Sequence, residues 1–208
     1  MSYYLHGLFL GIITFIFIII FDLISIQYVK QISSKLFFQA ILKNFINLII
    51  ISPISYFFTL KYFCISNSLN LEQQIIKIMC ILLTQSILYH FIHKLMHTPL
   101  FYSIHKFHHK FNKTVIPISA NAVSINEFLF AYLFPIIFPC YLFSPDQLSI
   151  NISIAIISLN NILIHTPGLR NISKYLPSVF VSTDKHMIHH KIKNKYYSAP
   201  TINWSVFN

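Results

Sequence analysis

The stretch that most constrains this chain is LHGLFLGIITFIFIIIFDLISI, Leu5–Ile26, which carries a single charged residue, Asp22. A helix of about 20 apolar residues crosses a hydrocarbon layer of about 30 Å, so this run is long enough to span a bilayer. No basic segment precedes it and no small-residue cleavage site follows, which predicts a retained span rather than a removed leader. Of the 208 residues 55% are hydrophobic and 10% charged, where a soluble domain carries about 25% charged residues. The chain is therefore expected to be an integral membrane protein.

Further apolar runs follow. A basic link with Lys30 and Lys35 leads to Phe37–Leu60, in which Pro53 predicts a kink. The polar stretch SNSLNLEQQ (Ser66–Gln74) precedes Ile75–Met96, and Ala120–Phe143 and Leu148–Ile164 are divided by the turn signal SPDQ. These runs predict an all-α, multi-span transmembrane helical bundle of about four to five apolar segments, with residues 1–208 forming one membrane-embedded domain. The 120–164 region is also compatible with a re-entrant hairpin. Lys30 and Lys35 place the first link in the cytoplasm, and alternate crossings place Lys94, Lys106, Lys110, Lys113, Arg170, Lys174, Lys185, Lys191, Lys193 and Lys195 on the same side. Lys61 and Lys77 fall opposite.

The formal charge of +10 follows from this topology. The lysines form no stripe with interleaved aromatics, so nucleic acid is not an expected partner. Cys64, Cys80 and Cys140 sit singly in apolar surroundings with no CxxC spacing, which reads as small core residues rather than a disulfide or thiolate site.

Against this background the histidines are concentrated. HKLMHTPLFYSIHKFHHK occupies 93–110, and HMIHH lies at 186–190. On a helix His93 and His97, at i and i+4, share a face, with His90 one turn earlier. His105, His108 and His109 are spaced i, i+3, i+4, as are His186, His189 and His190; as helices, each trio is expected to converge on one side. Eight imidazoles exceed what one ion uses, so two metals are the natural count. An all-imidazole set suits iron, zinc, copper or nickel. Without HExxH the zinc-peptidase general base is lacking, and with three glycines no GxGxxG or Walker loop can form. Because ligand imidazoles must be neutral, metal loss is expected below about pH 6.5.

HxxxH, then HxxHH, then a distal HxxHH resembles the fatty acid hydroxylase / sterol desaturase superfamily of membrane histidine-rich di-iron oxygenases. The likeness runs from about residue 88 to 208 through LYHFIHKLMH, LFYSIHKFHHKFN and STDKHMIHHKIKNKYYSAPTINWSVF. It implies that His93, His97, His105, His108, His109, His186, His189 and His190 ligate two iron ions, with zinc a possible substitute in isolated protein. His165 stands where many members carry a further histidine and is a ninth candidate. Two departures are visible: SINE (Ser124–Glu127) keeps the glutamate of an HPxE element but not its histidine, which counts against a sterol C4-methyl or C5 substrate, and an NYG element reads YYS.

The resemblance implies O2-dependent hydroxylation or desaturation of a membrane lipid (fatty acyl, sphingoid, sterol or related chain). Electrons would come from a separate cytochrome b5, ferredoxin or reductase, at a cytoplasmic-side histidine-rich di-metal cap. The membrane would be the endoplasmic reticulum in a eukaryote and the inner membrane in a bacterium. Glu127, His90 and Asn161 are candidates to support the ligands from behind. Alternative readings are a non-enzymatic membrane metal carrier and a membrane zinc hydrolase.

Overall fold

The computed structural model describes residues 2–207. Among them, five helices are long and apolar enough to cross a membrane: α1 Tyr3–Ile24, α2 Ser34–Phe63, α3 Leu71–Met96, α4 Ile125–Phe143 and α5 Gln147–Ile164. No multi-residue β-strand occurs among the described residues, only isolated bridges such as Phe180 with Ile202. Each helix begins where the sequence supplies a cap. Ser2, Ser33, Asn70, Ser124 and Asp146 accept a backbone N–H in the first turn of α1 to α5 respectively, which satisfies one of the orphan donors at each helix start. Outward-facing residues are apolar, among them Phe38, Phe91, Phe130 and Tyr141, as expected of surfaces against lipid tails.

Two spans change their winding. Residues Ile46–Ile51 of α2 and Phe128–Leu133 of α4 are π-helical, and in each the next proline, Pro53 or Pro135, stands two residues beyond the turn. Proline offers no N–H and its ring crowds the carbonyl four residues back; a widened turn just before it relieves that clash. The kink predicted at Pro53 is thus a π-turn over the preceding residues.

The apolar boundaries differ from expectation most at Ala120. Residues 120–124 are not helical: after the short 3-10 turn Pro117–Ser119 the chain bends at 120–121 and stays irregular until α4 starts at Ile125. From Val115 to Val123 every residue is buried. Irregular backbone at this depth survives only where protein supplies its partners. Asp22 Oδ1 accepts from Ile118 N (3.1 Å), Asn44 Nδ2 donates to Ile118 O (2.8 Å), and Asn47 Nδ2 donates to Asn121 O and Val123 O (3.0 and 3.3 Å). From the other flank, Tyr132 Oη and Asn161 Nδ2 both donate to Ala120 O, at 2.8 and 3.1 Å. The polar residues that interrupt α1, α2 and α5 are therefore the sockets of one buried loop.

Helix α1 approaches α2 so closely that a Cβ on Gly11 would fall 2.0 Å from Leu48 O. Cys64 and Cys140 pack together with Tyr56, Leu60 and Ile150 as core residues, at the end of the bundle away from the buried loop. There Lys77 Nζ donates to Phe143 O at the last turn of α4 (2.6 Å), and Asp146 accepts from Leu69 N and Gln74 Nε2. The cation thus caps a helix C-terminus and the carboxylate joins two loops.

Asn47→Leu, which strands two loop carbonyls in an apolar interior, is expected to cost about 1–3 kcal/mol. The check is the thermal midpoint in detergent, with the exposed Asn67→Ala unchanged beside it.

Candidate metal centre

The C-terminal end of α3, the N-terminal end of α4 and the C-terminal end of α5 lie at the same end of the bundle, and the histidines gather there. His93 projects from the last turn of α3 and His97 is its C-cap. His105 closes the one-turn helix Tyr102–His105, and His108 and His109 open the 3-10 turn His108–Phe111. His165 is the C-cap of α5. His186, His189 and His190 lie on α6, Thr183–Ile192, whose start is capped by Ser182 and whose end turns left-handed at Lys193.

All nine sort into two groups. In the first, His93, His97, His105, His109 and His189 bring one ring nitrogen each to within 4.8 Å of one another; in the second, His108, His165, His186 and His190 do the same. The trios do not each converge on one side, as the helical reading expected. His105 and His109 join the first group while His108 joins the second; His186 and His190 join the second while His189 joins the first. Residues four apart stay together, whereas the member at i+3, adjacent in sequence to the last, points away. Around 105–109 the backbone is a short helix, a turn and a 3-10 segment rather than one α-helix. Each HxxHH therefore lies between two sites and serves both. The groups are contiguous: the ring centroids of His109 and His190 are 5.0 Å apart, and those of His105 and His108 are 5.3 Å apart.

Hydrogen bonds behind the rings show what the groups demand. His93 Nδ1 faces Tyr197 O at 2.7 Å, His189 Nδ1 faces Lys195 O at 2.7 Å and His109 Nδ1 faces His190 O at 3.4 Å. A carbonyl can only accept, so in these rings Nδ1 carries the proton and Nε2 is left with its lone pair. His105 Nδ1 faces Glu127 Oε1 at 2.6 Å; with a cation beside the ring the carboxyl would be ionised and would fix the same tautomer. Yet the Nε2 atoms of His93 and His105, and of His105 and His109, lie 3.0 Å apart. Those from His97 to His93 and to His109 lie 3.3 Å apart. Lone pairs so opposed repel; a cation at their convergence turns repulsion into ligation.

The second group is less constrained, because Nδ1 of His186 and of His190 has no partner and their tautomers are not fixed. His165 Nδ1 donates to Asn161 O at 2.6 Å, leaving its Nε2 3.0 Å from that of His186, which lies 3.2 Å from that of His190. Both nitrogens of His108 are buried without a partner. The donor set is all imidazole in both groups, which fits iron, zinc, copper or nickel and not the hard cations that prefer oxygen.

Of the three supporting candidates, Glu127 and Asn161 stand behind ligand-group rings, Asn161 through its backbone carbonyl rather than its amide. His90 stands apart from both groups: its Nδ1 lies 2.9 Å from Ser198 Oγ. It contacts instead, from α3, a C-terminal strap, residues 194–207, that sequence reasoning did not identify. Ser198 Oγ also accepts from Trp204 N (2.8 Å), and Trp204 Nε1 donates to Ser86 Oγ on α3 (3.2 Å). The strap thereby presents the carbonyls of Lys195 and Tyr197 to His189 and His93. Backbone acceptors have no side-chain signature; the lone tryptophan was the only visible mark of this anchor.

Below the histidines, between all five spans, lies a cavity of about 100 Å³. Tyr89, Tyr132, Asn121 and Asn161 line its upper end, and Tyr56, Thr59 and Ile150 its far end. Tyr89 brings it against the first group, its ring centroid 5.2 Å from that of His93. From Asn161 to Ile150 the wall runs about 16 Å along α5.

A model of the fatty acid hydroxylase family matches residues 78–208, from within α3 through every one of the nine histidines. The chain belongs to the fatty acid hydroxylase family. In this fatty acid hydroxylase homologue the match begins ten residues before the Leu88 at which the motifs become recognisable (88 − 78 = 10). Helices α1 and α2 lie outside it, although they supply Asp22, Asn44 and Asn47 to the buried loop. No curated protein and no solved structure gave a match.

Burial acts on the imidazoles beyond the spans in one direction. Loss of hydration, with neighbouring imidazoles adding to it, pushes His97 down to about 3 and His109 to about 2. Burial takes His165 and His189 to about 4, against backbone acceptors that pull the other way. His105, His108, His186 and His190 are held well below the ordinary imidazole range for the same reason. Unfolded, these groups protonate near 6.5. The unfolded chain therefore binds more protons at any pH between the two values, and stability is complete above about 6.5 and lost as pH falls. Metal-free protein is expected to lose stability steeply below pH 6.5, and metal-loaded protein to stay folded to lower pH, because ligation opposes protonation. The acid loss of metal expected from free imidazoles thus shifts below 6.5. Unfolding midpoints measured from pH 7 to pH 4 with and without metal check this; a flat metal-free profile would contradict buried neutral imidazoles.

Proposed function

We propose that this protein is a membrane di-iron oxygenase that hydroxylates or desaturates a lipid chain bound between its spans. The observation that carries the reading is the conjunction of nine imidazoles, eight buried and His97 half-buried, in two contiguous groups with an apolar cavity opening beneath them. His93, His97, His105, His109 and His189 would hold one iron, and His108, His165, His186 and His190 the other. Held there, two irons supply reductive O2 activation and the cleavage of an unactivated C–H bond.

The remaining work falls to the chain. Glu127 and the carbonyls of residues 195 and 197 keep Nε2 of His105, His189 and His93 free as donors. The cavity walls exclude water and align a lipid chain past Tyr89. Electrons would come from a cytochrome b5, ferredoxin or reductase. Lys94, Lys106, Lys110, Lys191, Lys193 and Lys195 surround the histidine end and suit an acidic donor surface. Their excess on that side supports a cytoplasmic orientation, in the endoplasmic reticulum of a eukaryote or the inner membrane of a bacterium.

A metal carrier calls for ligands distributed through the depth of the bilayer, whereas these gather at one end. A zinc hydrolase needs a carboxylate free to act as base, whereas Glu127 is engaged with His105.

Comparative lipid mass spectrometry on cells with and without this chain, under 18O2, is expected to reveal a product carrying one 18O atom or lacking two hydrogens. Unchanged lipids with a competent donor present would overturn the reading. His189→Ala and His186→Ala are each expected to abolish that product and to lower metal content from two ions toward one, since they remove ligands from different groups. Elemental analysis of the purified variants is the check; two retained ions in both would refute the assignment.

A further inference from the structure

One buried polar group inside the cavity is left without use by the chemistry above. Gln85 lies on α3 on the same stripe as Tyr89, His93 and His97, at successive steps of four residues. It is 2% exposed, it lines the cavity, and its Oε1 is enclosed with no hydrogen-bond partner. The neighbouring polar groups are engaged within the protein: Tyr56 Oη donates to Asn151, Thr14 to Leu10 O, Thr59 to Ser55 O, and Asn161 to Ala120 O. An amide held in a hydrocarbon-like interior without a partner opposes folding. A leucine there would fill the same space at no such cost.

We propose that Gln85 binds a hydroxyl group carried on the lipid that occupies this cavity, well inside the chain and about 12 Å along α3 from His93. A hydroxyl donates and accepts, so it satisfies the amide whichever of Oε1 and Nε2 faces it. The remaining wall is predominantly apolar, with Ile136, Ile150, Ile154 and Ile157 along its length, which suits the hydrocarbon on either side of that group. Gln85 thus selects a hydroxylated chain over an unbroken one and sets the register in which the chain lies beneath the histidines. This inference rests on the reading of the cavity as the site of a lipid substrate.

The test is equilibrium competition on the purified, metal-loaded protein in nanodiscs. A fluorescent fatty acid is displaced by an eighteen-carbon saturated fatty acid or by the same acid bearing a mid-chain hydroxyl. The hydroxylated acid is expected to bind about tenfold more tightly, the effect of one good neutral hydrogen bond. In Gln85→Leu the preference should fall below twofold while the plain acid binds at least as well. Ligand-free Gln85→Leu should also unfold at a higher temperature than the parent, because it removes an unpartnered amide; a lower midpoint would mean that the protein already satisfies Gln85. Equal affinities in the parent, a preference that survives Gln85→Leu, or no displacement by either acid would each overturn the proposal. Binding needs neither O2 nor turnover. A preference dependent on Gln85 in a protein that oxidises nothing defeats only the oxygenase reading, and lipid oxidation without the preference defeats only this one.

Discussion

Polar groups in the hydrocarbon have no water to turn to, and most of this structure can be understood as the pairing that follows. The spans satisfy their own backbone. The loop from Val115 to Val123 cannot, and Asp22, Asn44, Asn47, Tyr132 and Asn161 pair it from four spans. Once this loop is held in place, α4 starts where Glu127 meets His105. The first histidine group extends the same rule to its limit, because no side chain on hand can pair lone pairs that face one another at 3.0 Å. A metal cation is the partner they lack.

The support for the ligands is divided between kinds of group. A carboxylate backs His105, and carbonyls of residues 195, 197, 190 and 161 back His189, His93, His109 and His165. The carbonyl contribution ties tautomer choice to the path of the main chain, so the strap after α6 matters to the centre although it contains no ligand. Trp204 and Ser198 fix that path against α3, which links the end of the chain to the ring orientations of residues more than a hundred positions earlier.

Much of this was legible beforehand. Apolar runs announced four to five spans, of which the structure has five, because length and hydropathy suffice for that inference. The spacing of the histidines, in the company of the surrounding motifs, announced histidine groups gathered at one end, and the structure brings nine of them into two. The buried loop was not legible: Ala120, Ala122 and Val123 are as apolar as any helix interior, and only Asn44, Asn47 and Asp22 in other spans hinted that something needed them. The strap was hidden for a related reason, since backbone acceptors leave no trace in residue identity. Gln85 read as one more polar residue in a helix until the cavity gave it a face.

Sequence by itself determined that this is a helical membrane protein with an imidazole-rich centre and the motifs of its family, because hydropathy and local spacing depend on near neighbours along the chain. Tertiary structure decided which histidine joins which group, since each HxxHH is divided between two groups by backbone turns and by the meeting of α3, α5 and α6. It also decided that the interruptions in the spans are sockets for a loop, and that a cavity lies beneath the centre. Those outcomes depend on distances between residues remote in sequence, and such distances exist only after the spans have packed.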